Sequence, residues 1–262
     1  MIYLNGKAYK KTEPHMHVLP VSECSQLSAL QAAEKFHQCG FEVVVLTNHY
    51  SRNLIEHRGM SEKEWRQLYI DGYRAFKEEA AKWGIEVFLG AEVTLFSHHL
   101  NYYRERYSEE FLFQNYADYL VYGITEEFLL SGPLLFDVTL PELSNYCRER
   151  GALLLQAHPF RTEQRHSLKD LCYLDGIEMN ANEGFPSGAC EEQSLRLQKE
   201  HDLILTCGGD IHYMWHHLRS AMYIPADIHD SVAFAAYLRK VKVPLYSLDE
   251  ADPFAPSKPE KR

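Results

Sequence analysis

The most constraining feature of this sequence is a valine-rich run at residues 41–47, preceded by Gly40 and followed directly by Asn48 and His49. A strand that is apolar along both faces has to be covered on both, as in a parallel sheet with helices packed against it. Helices with explicit start and stop signals flank this run. Ser28 and Gln31 have capping-box spacing at the head of residues 28–39, where side chains at both ends satisfy orphan backbone donors, and Gly40 supplies the stop. Ser61 and Glu64 repeat the spacing ahead of a helical stretch that reaches Trp83 and ends at Gly84. Thr139 and Glu142 open another, closed by Gly151, and a further helix runs from about 189 to 201. Between them, strand signals fall at 85–93, 118–124, 152–157, 176–180 and 203–207. Repeated strand-helix units of this kind predict a parallel sheet, and six or seven of them a closed barrel.

A chain of 262 residues fits one large α/β domain, and no composition shift divides it. A single domain is therefore expected over residues 1–250, with a proline- and charge-rich tail at 251–262 that frays. The net charge of −10 disfavours a nucleic-acid duplex or an anionic membrane surface as partner. A small phosphorylated substrate is compatible with that charge if metals and a few arginines reverse the sign inside a cleft. The six cysteines form no CxxC pair and follow no secretory leader, so they read as reduced thiols. No stretch reaches the roughly 18 apolar residues that span a bilayer. A cytoplasmic location is expected, and oligomeric state is left open. Neither a phosphate-binding P-loop, nor a G-x-S-x-G elbow, nor a dinucleotide fingerprint is present.

Chemistry enters through position. His15, His17, His49, Glu92, His158, Asp210 and His212 all fall at or just beyond the C-terminal ends of expected strands, the face on which barrel enzymes carry their active sites. Residues two apart on a strand point the same way, so His15 with His17, and Asp210 with His212, are each able to share a metal centre. Imidazole and carboxylate donors suit zinc, manganese or iron. In a chain with 14 histidines a lone His-x-His arises by chance, and it is the joint pattern across five strands that carries the argument.

Glu13-Pro14-His15-Met16-His17, Leu46-Thr47-Asn48-His49, Gly90-Ala91-Glu92, Ala157-His158-Pro159-Phe160-Arg161 and Gly208-Gly209-Asp210-Ile211-His212, in that order, resemble the successive motifs of the PHP (polymerase and histidinol phosphatase) superfamily. The resemblance covers about residues 13–225. It implies an α/β chain folded as a single distorted (β/α)7 TIM-like barrel that binds two to three divalent metal ions (Zn, Mn or Fe) and hydrolyses phosphate monoesters or diesters with a metal-activated hydroxide. Carried over residue by residue, His15 and His17 would bind one metal with Asp210 and a bridging Glu92, His49 and His212 would hold a second, and His158 with Glu92 would belong to a third. Glu92, Arg161 and His212 are the candidate catalytic residues, with the Arg161 guanidinium gripping phosphate oxygens or, equally, closing a salt bridge on the rim.

The chain departs from that family at three places. Asn48 stands where an aspartate is usual, removing a charge. Ser22-Glu23-Cys24 follows the His-x-His where an extra aspartate or histidine ligand is common, which leaves Glu23 as the nearest candidate. The middle-strand ligand aligns with Asp118, and His98 and His99 are rivals. Arg52, His57 and Arg58 read as solvated loop charges on the same face, and His37, His166, His201, His216, His217 and His229 as structural or surface residues. Two other functions remain in play. One is an amidohydrolase-type metal enzyme, which would be expected to carry a metal-bridging lysine. The other is a metal-binding regulatory protein without catalysis.

Overall fold

The expected helices form where their capping residues stand. In a computed structural model that describes residues 1–160, 168–180, 187–218 and 220–248, Ser28 and Ser61 close full capping boxes on helices Ala29–Gln38 and Glu62–Ala81. Thr139 does the same for Leu140–Glu149. Arg161, His166 and the tail at 251–262 lie outside the described residues. No helix among those described is long and apolar enough to cross a membrane.

In chain order the strands are β1 (Ile2–Leu4), β2 (Lys7–Met16), β3 (Val43–Leu46), β4 (His49–Tyr50), β5 (Glu86–Leu89), β6 (Ala91–Leu95), β7 (Ala117–Tyr122), β8 (Leu153–Gln156), β9 (Gly176–Asn180), β10 (Ile204–Gly208), β11 (Ala221–Pro225) and β12 (Leu245–Ser247). They make two six-stranded sheets, one ordered β12-β11-β2-β3-β5 with β1 on the side of β2, the other β10-β9-β8-β7-β6-β4. The ladder does not close as the sequence predicted. The two sheets meet instead at two seams. At the first, Gly90 N donates to Leu46 O (2.9 Å) and Glu92 N to Asn48 O (3.1 Å), carrying the β3–β5 pairing across a break into β4–β6. At the second, His17 N donates to Ile211 O (2.9 Å) and Ile211 N to His15 O (3.2 Å), an isolated parallel bridge between Met16 and Ile211.

The all-parallel expectation also needs correction. β7 runs antiparallel to both β6 and β8, and β11 antiparallel to β2. The connection from β6 to β7 holds helices of only 4 and 7 residues. At about 1.5 Å per residue these are too short to travel back along a strand of about 17–20 Å, so β7 starts on the side where β6 ends. Its first residues thus lie at the same rim as the last residues of β6 and β8.

The apolar runs are buried on both faces, as read. Val44 and Leu46 join Phe36, Trp65 and Phe76 in one cluster beneath the helices, while Val43 and Val45 join Phe88, Leu120, Leu155, Ile177 and Leu205 in another drawn from both sheets. Alternation along one strand feeds two cores. A single side chain spans the first seam: the Tyr69 hydroxyl, on helix Glu62–Ala81, lies 2.8 Å from Asn48 O and 3.2 Å from Gly90 O, the carbonyls exposed by the two strand breaks. Tyr69→Phe is expected to lower stability by about 1 kcal/mol, the net worth of a typical buried hydrogen bond, measured by urea unfolding; an unchanged midpoint would remove the hydroxyl from this role.

Candidate metal centre

Glu13, His15 and His17 follow the two-residue period of β2 and its extension and are fully buried on one face. The Gly208-Gly209 pair lets the end of β10 come close against them. A Cβ on Gly208 would stand 2.5 Å from Glu178 Oε1 and 2.7 Å from His15 Cβ, and one on Gly209 3.1 Å from Glu13 Oε2. Beyond the pair, Asp210 has φ +50°, and His158, just past β8, has φ +32°. Left-handed backbone at non-glycine residues costs energy and gathers at sites where a side chain must be aimed.

Three groups of donor atoms, each mutually within 4.8 Å, occur among the described residues: His15, His17, Glu92 and Asp210; His17, His49 and His212; and His49, Glu92 and Asp118. Glu92 stands at the centre. Its Oε1 is 3.4 Å from His15 Nε2 and 3.0 Å from His158 Nε2, while Oε2 is 3.3 Å from His17 Nε2 and 2.9 Å from His49 Nδ1. Asp210 Oδ1 lies 3.3 Å from His15 Nε2 and 3.0 Å from His17 Nε2.

The ring orientations are held from outside. His15 Nδ1 is 2.8 Å from Glu178 Oε1, and since a carboxylate only accepts, that nitrogen carries a proton and Nε2 faces the cluster. His17 Nδ1 is 3.0 Å from Ser22 Oγ, whose own proton goes to Asn48 Oδ1 (3.0 Å), so His17 also turns Nε2 inward. Partners of this kind on the far nitrogen are the usual support of metal-bound histidines.

Charge makes the stronger argument. Glu13, Glu92, Asp118 and Glu178 are all buried, and among the described residues no lysine or arginine pairs with any of them. The buried cations are engaged elsewhere: Lys10 with Glu86 and Ile228 O, Arg66 with Glu62 and Gly132 O, and Lys35 with Met214 O. Buried carboxylates without a positive partner are expensive. Protons meet part of the demand in the metal-free chain. Burial opposes charge on His15 and His49, yet Glu178, Asp210 and Glu92 around the first, and Glu92 and Cys24 beside the second, raise both well above the usual imidazole range. His17 goes the other way, lowered by burial, His212 and His49. Burial likewise pushes Glu13 up to about 8, against the backbone N–H groups of Gly209 and His15 that bond its Oε1. Glu92 is held well below its ordinary value, because His49 and His15 outweigh its burial. Its Oε2 lies 2.9 Å from His49 Nδ1. The donors fit a divalent cation, and the N/O set suits zinc, manganese or iron.

Neither a protein-family profile nor a curated protein sequence matches this chain. Solved structures do. A two-domain protein from Bacteroides vulgatus containing a predicted PHP-like metal-dependent phosphoesterase superposes with TM-score 0.62 at 14% identity over 94% of this chain and 66% of its own. The chain has the PHP-like fold. The same fold relates it to the lesion-specific endonuclease PfuEndoQ from Pyrococcus furiosus (TM-score 0.54, 12% identity, 89% of this chain and 56% of that one) and to an amidohydrolase from Chromobacterium violaceum (0.50, 11%, 77% and 87%). The chain thus spans just under two thirds of the first of these neighbours.

Within this PHP-like fold the remaining sequence-derived residues distribute unevenly. Asp118 reaches the cluster because β7 is reversed, and Thr94 Oγ1 donates to its Oδ1 (2.7 Å). His98 and His99 pack against each other and Tyr116, in none of the three groups. His158 touches Glu92 but joins no group either. Glu23 is drawn off by Arg58 (2.8 Å), and in its stead Cys24 places its thiol by His49 and His212, which overcome the effect of burial and bring it to about 6. Arg52 is committed to Asp137 and lies over the Tyr102 ring. His216 accepts from His212 N (3.1 Å), and burial with His212 pushes it down to about 4. Sequence reading missed Glu13, Glu178 and the role of Ser22. Signals for the first two existed: Glu13 continues the two-residue spacing of His15 and His17, and Glu178 is the one charge in the strand Gly176–Asn180.

Two outcomes follow from this arrangement. Because protons on His15 and His49 hold the place of a cation, zinc uptake should release protons and tighten as pH rises, the sign set by their raised pKa values; calorimetry in buffers of different ionisation enthalpy measures it, and buffer-independent heats would contradict it. Glu178→Gln should weaken zinc binding by about 10–100-fold, the usual cost of losing a partner behind a metal-bound histidine, as read by chelator competition.

Proposed function

We propose that this chain is a metal-dependent phosphoesterase that hydrolyses a phosphate monoester or diester on a small phosphorylated substrate. The candidate ligands are His15, His17, His49, Glu92, Asp118, His158, Asp210 and His212, for two to three ions of zinc, manganese or iron. The observation that carries the reading is the overlap of the three donor groups: His17, His49 and Glu92 each belong to two, and the two oxygens of Glu92 face different histidines. Glu92 would hold such cations together with the histidines and Asp210, and when bound they would supply a water of lowered pKa and charge neutralisation for phosphoryl oxygens.

The chain's own groups do the rest. Glu13, Glu178 and Ser22 hold the His15 and His17 side of the site rigid and dry. His212 directs Nδ1 to the Asp210 carbonyl (3.0 Å), which leaves Nε2 to face a cation or, where no cation takes it, to pass a proton to a leaving group. Asp210 and Cys24 raise its pKa against burial. Arg161 is assigned the phosphate grip. The net charge of −10 supports a small substrate over a duplex, and the described free thiols are in keeping with a cytoplasmic setting.

The amidohydrolase among the fold neighbours supports a second reading, hydrolysis of a C–N or carboxylic ester bond. Against it, the residue shared between donor groups is a carboxylate, Glu92, and the lysines buried among the described residues are engaged elsewhere, Lys10 with Glu86 and Lys35 with Met214 O. An aryl phosphate and the matching aryl ester, assayed with added manganese or zinc, separate the two. Phosphate turnover is expected, and His17→Ala should reduce it by more than about a hundredfold, since removing a ligand costs more than removing a partner behind one. Turnover of the ester alone would favour the second reading, and no turnover by metal-loaded protein would sink both.

A further inference from the structure

The turn that follows His212 carries the one exposed residue of the segment 211–218. Trp215 keeps 56% of its surface in water, while Ile211, His212, His216, His217 and Leu218 are buried and Tyr213 and Met214 half-buried. Leaving an indole in water forgoes the burial of a large apolar surface, yet the turn that does so is firmly held. His212 O accepts from Gln26 N (2.9 Å), Met214 O from the fully buried Lys35 Nζ of helix Ala29–Gln38 (2.9 Å), His216 Nδ1 from His212 N (3.1 Å) and Tyr213 O from His216 N (3.1 Å). The Tyr213 ring lies parallel to the indole, with centroids 4.9 Å apart and 7° between the planes. His216 is 4.6 Å from both rings and close to perpendicular to each, so it stands beside the pair and covers neither outer face. Tyr213 and His216 are in turn each 6.1 Å from the His212 ring. The outer face of Trp215 is thus two ring contacts from a candidate metal ligand.

We propose that Trp215 is a specificity-determining residue, a platform on which a planar ring of the substrate's organic group stacks while its phosphate lies at the metal centre. The proposal rests on the phosphoesterase reading above and narrows it, from any small phosphorylated compound to one that carries an aromatic ring, an aryl phosphate or a nucleotide. An indole presents a wide, rigid contact surface and has few torsions to fix, so it orders a ring at low entropic cost. Tyr213 backs it against tipping away from an incoming ring, and the bonds from Lys35 and Gln26 keep the turn from yielding. Every aromatic ring has a π-face, so the platform selects for the presence of a ring and not for the pattern of donors and acceptors on its edge.

Steady-state kinetics of the metal-loaded full chain on phenyl phosphate, adenosine monophosphate and glycerol phosphate test the platform. In Trp215→Ala the KM for a ring-bearing substrate is expected to rise about 5–100-fold, the worth of one stacked base, with kcat little changed, as for an interaction made equally in the ground and transition states. The rise for glycerol phosphate should be much smaller, and Trp215→Phe should recover part of the loss. A rise confined to phenyl phosphate identifies an aryl ester, and one confined to adenosine monophosphate a nucleotide. Equal changes for all three substrates, or no change for either ring-bearing one, overturn the platform and leave the phosphoesterase reading intact. Absence of turnover on every phosphate ester defeats that reading by itself, and indole fluorescence then decides the platform: phenyl phosphate or the nucleotide should quench the unaltered chain more than Trp215→Ala, and equal quenching overturns it. Emission from the buried Trp65 reports whether each variant keeps the fold.

Discussion

Buried carboxyl groups that no lysine or arginine pairs with organise this molecule more than any single contact does. Glu13, Glu92, Asp118 and Glu178 are brought together by strand ends from both sheets, and the buried Lys10, Arg66 and Lys35 are held elsewhere, by Glu86, Glu62 and Met214 O. A folded chain tolerates such a concentration of carboxylates only if protons or cations share the space. Histidines surround it for that reason. They accept a proton when no metal is near and release it when one arrives, so the same residues stabilise the empty site and build the filled one.

The geometry of the rim follows from that requirement. Backbone at His158 and Asp210 takes positive φ, two strands break where His49 and Glu92 must turn inward, and glycines stand where a side chain would collide with Glu178 and His15. Each of these departures falls at or beside a residue of the cluster. The sheets below are regular and tightly buried, which is where the stability to hold a strained rim comes from.

Much of this was legible in the sequence. The capping boxes at Ser28, Ser61 and Thr139 are local signals that depend on three-residue spacing, and all three close as read. The ligand candidates at 15, 17, 49, 92, 210 and 212 were found because strand ends and two-residue spacing are also local. The rest was not local. The direction of β7 depends on how far two short helices reach, the split into two sheets on seams that only tertiary packing defines, and the orientation of Glu23 on where Arg58 sits. Asp118 was picked over His98 and His99 by alignment of motifs, whereas the physical reason, its place at the start of a reversed strand, is visible only in three dimensions. Glu13 and Glu178 needed no tertiary knowledge. They were overlooked because carboxylates next to obvious ligands draw less notice than the ligands.

Tyr69 has a consequence for how such a rim can change over time. Its hydroxyl ties both strand breaks to the long helix behind them, so the spacing between His49 and Glu92 is set from the rear, by a rigid rod, and not by the loops in front. The segment at residues 51–61, with its short helix Asn53–Arg58, is therefore not what sets that spacing. Insertions and deletions there can reshape what is admitted while the inorganic chemistry beneath stays constant, which separates the inheritance of specificity from the inheritance of reactivity.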